Sequence, residues 1–298
     1  MKSKTSNKAN KIYSILLTMI GTILFLFIFC VVLVCISRHY YITEKEISTQ
    51  LSQTEEILTA YGWKEPESFS YQTAHAELNL PTPIPQPTAS DRKTVYLTFD
   101  DGPSKNTDQI LDILKEKDVP ATFFLVPKDT ESSRQEIQKI ADAGHTIGVH
   151  SYTHNYQTIY SSVDAFLDDF AQAGKIITEV TGTPPEIFRF PGGSINSYNM
   201  NLYQPLISEM LRRGYVYFDW NVNSSDADAK QVDAAKIEAA SVSGVKKLDY
   251  AVLLLHDSNE KTTTVDALGE IIDQLKADGY QFCTLDRSSP RVSFTYKS

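Results

Sequence analysis

Residues 95–103 read VYLTFDDGP, a short run of alternating apolar residues that stops on two adjacent carboxylates, Asp100 and Asp101. β-Branched and aromatic types at this spacing suit a strand. A strand running into a polar turn would account for the ending, because Asp, Gly and Pro all form turns. Two neighbouring acids nevertheless repel, unless a cation lies between them or one holds a proton. The partners of this pair have to come from elsewhere in the chain.

Further apolar runs follow at TFFLV (122–126), TIGVH (146–150), IFRFP (187–191), YVYFDW (215–220), AVLLLH (251–256) and QFCTL (281–285). Between them lie stretches such as NTDQILDILKEKD, SSRQEIQKIADAG and VDAFLDDFAQAGKIITEV, with apolar residues every three or four positions. Strand alternating with helix predicts parallel βα units, hence a doubly wound sheet or a barrel. Seven strands with polar residues just after several of them favour a barrel, whose reactive face lies at the strand C-termini.

Five sets of residues then converge on that face: Asp100-Asp101-Gly102, His150 with His154, Arg189 with Gly192 and Gly193, the segment DWNVNSSDAD, and His256-Asp257. The histidines at 150 and 154 are four apart and share a turn or compact loop. Two imidazoles and one carboxylate form a ligand set for a catalytic divalent metal with open positions. One Asp can then bind the cation while the other stays free as a base; spacing does not say which. Arg189 fits a partner for that base, and His256 fits an acid for the leaving group. Each has a plainer reading, an ion pair for Arg189 and a core histidine for His256. Gly192 and Gly193 allow close backbone approach to a ligand, as an oxyanion site or a plain turn would need. His145 precedes its strand and falls at the opposite end, while His39 and His75 fall before the barrel.

Ile12 to Ile36 contains no charged residue, about 25 positions where roughly 20 cross a bilayer. Lys2, Lys4, Lys8 and Lys11 precede it without an acid, which predicts a cytoplasmic N-terminus and an exported remainder. No small-x-small cleavage site follows, so the span reads as an uncleaved anchor rather than a signal peptide. With those four lysines set aside, 24 Lys and Arg face 37 acids, a net charge near −13 that argues against nucleic acid as a ligand. Cys30 and Cys35 lie in the apolar span. Cys283 is therefore alone in the exported part, as a small apolar residue without a disulfide partner. TEKEISTQLSQTEEILTAY (43–61) has weak helical spacing, and LNLPTPIPQPTASDRK (78–93) carries four prolines, the composition of a semi-rigid spacer.

From about Lys93 to Asp286 the chain strongly resembles the polysaccharide deacetylases of carbohydrate esterase family four, the NodB-homology domain. TFDDGP, VPATFFL, HSYTH, FRFPGG and LLLHD occur in that family's order. The resemblance implies an α/β fold, a distorted TIM-barrel-like (β/α)7 barrel, here preceded by a transmembrane helix and stalk. It implies Asp100 as catalytic base, Asp101, His150 and His154 as metal ligands, and Arg189 as the residue orienting the base. Gly192 would offer the oxyanion N–H, His256 would be the acid, and Leu254 would line the acetyl pocket. The family's fourth motif is usually W-x-V-D-x-x-D-W; here Trp220 and Asp226 remain, but Asn223 and Ala227 replace the other two. Asp226 is then the expected partner of His256, with Trp220 at the substrate.

The expected organisation is a cytoplasmic tail (1–11), an anchor (12–36), an extracytoplasmic stalk and Pro-rich linker (37–92), a deacetylase domain (93–288) and a C-terminal tail (289–298). The expected activity is metal-dependent removal of N-acetyl groups from cell-wall glycan, with Zn2+ as the metal and Co2+, Ni2+ or Mn2+ as alternatives. N-acetylglucosamine of peptidoglycan is the leading target. N-acetylmuramic acid, an exopolysaccharide or acetylated xylan come next, and an idle glycan-binding wall protein is the alternative class. A metalloprotease ranks below these, because nothing resembles an H-E-x-x-H helix. The expected location is the cell membrane, single-pass, with the catalytic domain on the wall side.

Overall fold

The computed structural model describes residues 69–88 and 93–295, together with Lys45 and Thr49. The expected tail and anchor at 1–36 lie outside the described residues. Among the described residues no helix is long and apolar enough to cross a membrane. The chain divides into two compact units, Met1–Glu67 and Ser68–Ser298, and the second carries the fold.

In chain order this unit runs α1 (Ser70–Thr73), β1 (Thr94–Asp100), α2 (Thr107–Glu116), β2 (Thr122–Leu125), α3 (Glu131–Asp142), β3 (Thr146–Val149), α4 (Tyr156–Ile159) and α5 (Val163–Thr181). It continues with β4 (Ile187–Phe188), α6 (Tyr203–Arg212), β5 (Val216–Tyr217), β6 (Val222–Asn223), α7 (Ala234–Val245), β7 (Tyr250–His256), α8 (Thr262–Ala277) and β8 (Gln281–Phe282). All strand pairs are parallel, in the order β5-β4-β3-β2-β1-β7-β6, and β8 pairs with the start of β1. The two ends of this path, β5 and β6, are joined by residues 218–221 alone. Five Cα steps reach at most about 18 Å, so the sheet has to curl until its edges nearly meet. The result is the distorted, incompletely closed barrel of seven strands.

Side-chain alternation along each strand decides what lines the inside. Val95, Leu97 and Phe99 of β1 pack outward under the helices, as do Phe123, Leu125, Val149, Ala251, Leu253 and Leu255. Tyr96, Phe124, Ile187, Val216, Phe218 and Val252 form a second, inner cluster. Both faces are buried, as all-parallel sheets require. The same alternation turns Thr98 and Asp100 inward with Tyr96, and Leu254 and His256 inward with Val252. Asp100 stands opposite His256 in the β1–β7 register.

Two features differ from the sequence-based expectation. The run YVYFDW was expected as one strand; it is the two-residue β5 followed by a turn, and a further strand, β6, forms at Val222–Asn223. Two residues are too few to show a period. Part of the expected spacer also lies against the domain. The buried Arg213 guanidinium donates to the carbonyls of Tyr71 (2.8 Å), Ala74 (2.7 Å) and His75 (2.6 Å), and Leu78 is buried. Arg287 likewise holds Thr82 through its Oγ1 at 2.6 Å and its carbonyl at 2.7 Å. Backbone carbonyls outside the sheet still need donors, and two arginines supply them.

Candidate active site

Asp100 ends β1 and is 3% exposed. Its Oδ1 accepts a hydrogen bond from Arg189 Nη1 at 2.9 Å. The arginine is fully buried and immobilised: Nη1 also donates to Thr98 Oγ1 (2.8 Å), Nε to the Phe218 carbonyl (2.9 Å) and Nη2 to the Asp219 carbonyl (3.2 Å). Its plane lies 4.4 Å from the Phe124 ring centroid and 5.7 Å from that of Trp220. Burial raises the Asp100 pKa, and the opposing pull of Arg189 and then His256 does not cancel it. The arginine engages one oxygen, leaving Oδ2 3.8 Å from His150 Nε2.

Asp101 departs from the strand with φ 73°. Left-handed backbone at a non-glycine residue costs free energy and commonly marks a functional site. The turn swings the Asp101 side chain toward β3. His150, the residue after β3, puts Nε2 3.6 Å from Asp101 Oδ1, and His154 puts its own Nε2 3.3 Å from the same oxygen. His154 is itself left-handed, with φ 53°. His150 Nδ1 is 2.8 Å from the Arg189 carbonyl, which can only accept, so Nδ1 carries the proton and Nε2 presents a lone pair. Burial brings His150 down to about 3, so it is neutral and forms no ion pair with either acid. Asp101 Oδ1 is buried and has no hydrogen-bond partner among the described residues. An orphaned carboxylate oxygen facing the lone pair of His150 Nε2, with His154 Nε2 alongside, is costly as it stands. It fits a divalent cation, and Asp101, His150 and His154 form the three-residue donor group found among the described residues.

The loop between the two histidines is tied down by a residue with no place in the sequence-based site. Asp169 of α5 accepts from Ser151 Oγ (2.6 Å), Tyr152 N (2.7 Å), Thr153 N (2.8 Å) and Thr153 Oγ1 (2.6 Å). Ser151 Oγ in turn accepts from His154 N at 2.9 Å. One signal was available in the sequence. Asp169 falls on the same helical stripe as Phe166, Phe170 and Ala173, where an acid is out of place unless it is fully bonded.

His256 closes the opposite wall. Asp226 is fully buried; its Oδ1 lies 2.7 Å from His256 Nδ1, and its Oδ2 accepts from His256 N (2.8 Å) and Thr264 Oγ1 (3.0 Å). Burial pulls the His256 pKa down, but the hydrogen bond and charge of Asp226 outweigh it and bring it up to about 9. Asp226 is lowered correspondingly: burial opposes the change and the His256 contact drives it. Asp219 is elsewhere. It accepts from Ser194 N (2.8 Å), Ser194 Oγ (2.5 Å) and Phe294 N (2.6 Å), which fixes the end of the glycine turn and the C-terminal segment. Phe294 packs edge-on against Trp220, with centroids 4.8 Å apart.

Gly192 has φ 75° and is exposed, and its N–H makes no hydrogen bond among the described residues. The direction of that N–H is fixed from behind. The Pro191 carbonyl accepts from Tyr160 OH at 2.7 Å and Asn196 Nδ2 at 3.1 Å. In a planar trans peptide the N–H points opposite to the C=O, so Gly192 N–H is aimed away from Tyr160. A Cβ at position 192 would stand 2.7 Å from Tyr156 Cε1, so only glycine fits beneath that ring. The Tyr156 phenol is pushed up to about 12 by burial and then by Asp101 and Asp100, and it keeps its proton. Leu254 is buried on the inner face of β7, level with Thr98. His145, by contrast, lies before β3, where its Nδ1 accepts from Ala121 N at 3.2 Å.

A buried, arginine-held carboxylate beside a two-histidine, one-carboxylate cation site, with an imidazolium across from it, is the layout of a metal-dependent hydrolase. Comparison with known proteins narrows that class. Residues 88–207 match the polysaccharide deacetylase family model. The chain is 32% identical over 195 residues to a peptidoglycan-N-acetylglucosamine deacetylase of Bacillus cereus, covering 64% of this chain and 69% of that protein. It is 37% identical to the catalytic domain of peptidoglycan N-acetylglucosamine deacetylase from Eubacterium rectale, with a TM-score of 0.68 over 72% of this chain and 98% of that one. A family 4 carbohydrate esterase from Streptomyces lividans, solved in complex with acetate, gives 26% identity and a TM-score of 0.57 over 69% and 99%. The chain belongs to the polysaccharide deacetylase family.

Proposed function

We propose that this chain removes N-acetyl groups from cell-wall glycan, acting on N-acetylglucosamine of peptidoglycan and releasing acetate. The observation that carries the reading is the orphaned Asp101 Oδ1 facing His150 and His154, with Asp100 held by Arg189 alongside. The relatives' substrates support the choice of glycan. Asp101, His150 and His154 would hold a divalent cation, Zn2+ by their nitrogen-rich set, which supplies charge to acidify water and polarise a carbonyl.

The remaining chemistry belongs to the chain's own groups. Asp100 Oδ2 takes a proton from the attacking water, whose oxygen bonds to the acetamide carbon. Gly192 N–H donates to the carbonyl oxygen as negative charge develops there. His256, with Nδ1 anchored on Asp226, presents Nε2–H to the departing nitrogen. The C–N bond breaks, giving acetate and a free amine. Leu254 and Trp220 flank the acetyl group. In this reading the span at 12–36 anchors the enzyme in the cell membrane, single-pass with its N-terminus in the cytoplasm, and residues 93–288 work on the wall side.

The test is acetate release by the full-length chain from peptidoglycan, chitooligosaccharide and acetylated xylan, with zinc, cobalt, nickel or manganese. Chelation should abolish release, and Asp100→Asn should lower it by about 10²–10⁴-fold. No release from any of these with any of the metals would sink the proposal.

A further inference from the structure

Tyr198 (54% exposed) and Met200 (41%) lie in one turn beside the site. A single exposed tyrosine is ordinary, but the support beneath this one is not. Its ring is 5.1 Å, centroid to centroid, from Tyr156. Tyr156 in turn stands edge-on to the candidate ligand His154 at 5.3 Å and covers Gly192. Two ring-to-ring steps therefore connect an exposed aromatic face to the cation site.

The turn carrying Tyr198 is also fixed. Asn196 Oδ1 accepts from Tyr198 N (2.8 Å) and Asn199 N (3.2 Å), and Asn199 Oδ1 accepts from Asn196 N (2.8 Å). Asn199 is fully buried and donates to the Ser194 carbonyl at 3.1 Å. Asn196 is the residue whose amide also bonds the Pro191 carbonyl. One side chain thus sets both the direction of Gly192 N–H and the seat of Tyr198. A ring held this way loses little freedom when a ligand covers it. The Tyr156 hydroxyl has no hydrogen-bond partner among the described residues and lies 3.2 Å from where a Gly192 Cβ would be.

We propose that Tyr198, backed by Tyr156, is a stacking platform for the pyranose ring next to the sugar whose acetamide is cleaved. A pyranose presents an apolar C–H face and a rim of hydroxyls. The C–H groups suit the negative face of an aromatic ring, and the phenol tips suit the rim. The Tyr156 hydroxyl stands at the junction of the two sugars. The platform rests on the deacetylase reading and extends it: the enzyme takes a chain of sugars, gripping the neighbour of the one it cleaves.

The test compares wild type, Tyr198→Ala and Tyr198→Phe as full-length, metal-loaded protein. One substrate is the hexamer of N-acetylglucosamine; the other is 4-nitrophenyl acetate, which offers an acetyl group without a sugar chain. Tyr198→Ala should raise KM for the hexamer by about tenfold, leaving its kcat and the ester turnover within about twofold, and Tyr198→Phe should restore KM. An unchanged hexamer KM in Tyr198→Ala, or equal losses on both substrates, would overturn the platform. Hydrolysis of the ester by wild type with no acetate from the hexamer would overturn the glycan reading itself, and the platform with it.

Discussion

Replacing Asp226 with Asn tests the acid side of the site most directly, because its effect has a magnitude and a pH signature. Asp226 Oδ2 faces two donors, His256 N and Thr264 Oγ1, while Oδ1 faces His256 Nδ1. An asparagine has one acceptor oxygen, which the two-donor side claims. Its NH2 then meets His256 Nδ1, where it disfavours a proton. The His256 pKa should fall from about 9 to its ordinary value of 6.5 or below. At 6.5 the protonated fraction at pH 8 drops from about nine-tenths to about one-thirtieth, while at pH 6 it changes by less than about twofold. Acetate release under kcat/KM conditions should therefore be about 30-fold lower in the variant at pH 8 and near wild type at pH 6. A cation in the site lowers both proteins' values together, so the separation of the alkaline limbs, about 2.5 units or more, is the quantity predicted. Stability should follow the same sign. A raised histidine pKa contributes stability present below 6.5 and lost as pH rises through about 9, worth about 3 kcal/mol. Denaturation curves of the two proteins should differ at pH 6 and converge by pH 10. An equal loss of activity at every pH, or alkaline limbs that coincide, would refute the assignment of His256 as acid.

Two further substitutions probe residues that act through others. Tyr160→Phe removes one of the two hydrogen bonds that aim the Gly192 N–H; a bond of about 1 kcal/mol predicts about a fivefold lower kcat with KM unchanged. A KM change without a kcat change would contradict that role. Asp169→Asn leaves one acceptor oxygen where two served four donors around the histidine loop. Zinc affinity, measured by competition with a chromogenic chelator, should weaken by about 10–100-fold. Affinity within about twofold of wild type would show that the loop holds its shape without the carboxylate.

The βα rhythm, with polar residues just after several strands, was enough to predict a barrel and to put Asp100 and His256 on the face at its strand C-termini. The histidine ligands were legible for a similar reason, since His150 follows a strand with His154 four residues on, whereas the choice of Asp101 over Asp100 came only from the family resemblance. What was not legible depends on contacts that have no period. β6 is two residues long, and no pattern can mark it. Tyr160 and Asn196 matter only because both reach one carbonyl, a coincidence in space between residues well separated in the chain. Asp219 shows the same limit in reverse. Asp219-Trp220 repeats the D-W that ends the family's fourth motif, yet its carboxylate serves Ser194 and Phe294 while Asp226 serves His256.

The pair that closes VYLTFDDGP can now be described by its surroundings. Asp100 continues the strand, so alternation buries it and Arg189 can grip only one of its oxygens. Asp101 leaves the strand through a left-handed residue, so its oxygen meets the two histidines instead. The two carboxylates are neighbours in sequence but face different partners, and the repulsion between them is relieved from two sides. An arginine that cannot leave its pocket is a permanent counter-charge, whereas a cation between Asp101 and the histidines is exchangeable. Chelation should therefore release the histidine loop and leave Asp100 in place. Hydrogen exchange should report faster amide exchange at residues 150–154 on metal removal with β1 unchanged, and equal protection in both states would contradict this division of roles.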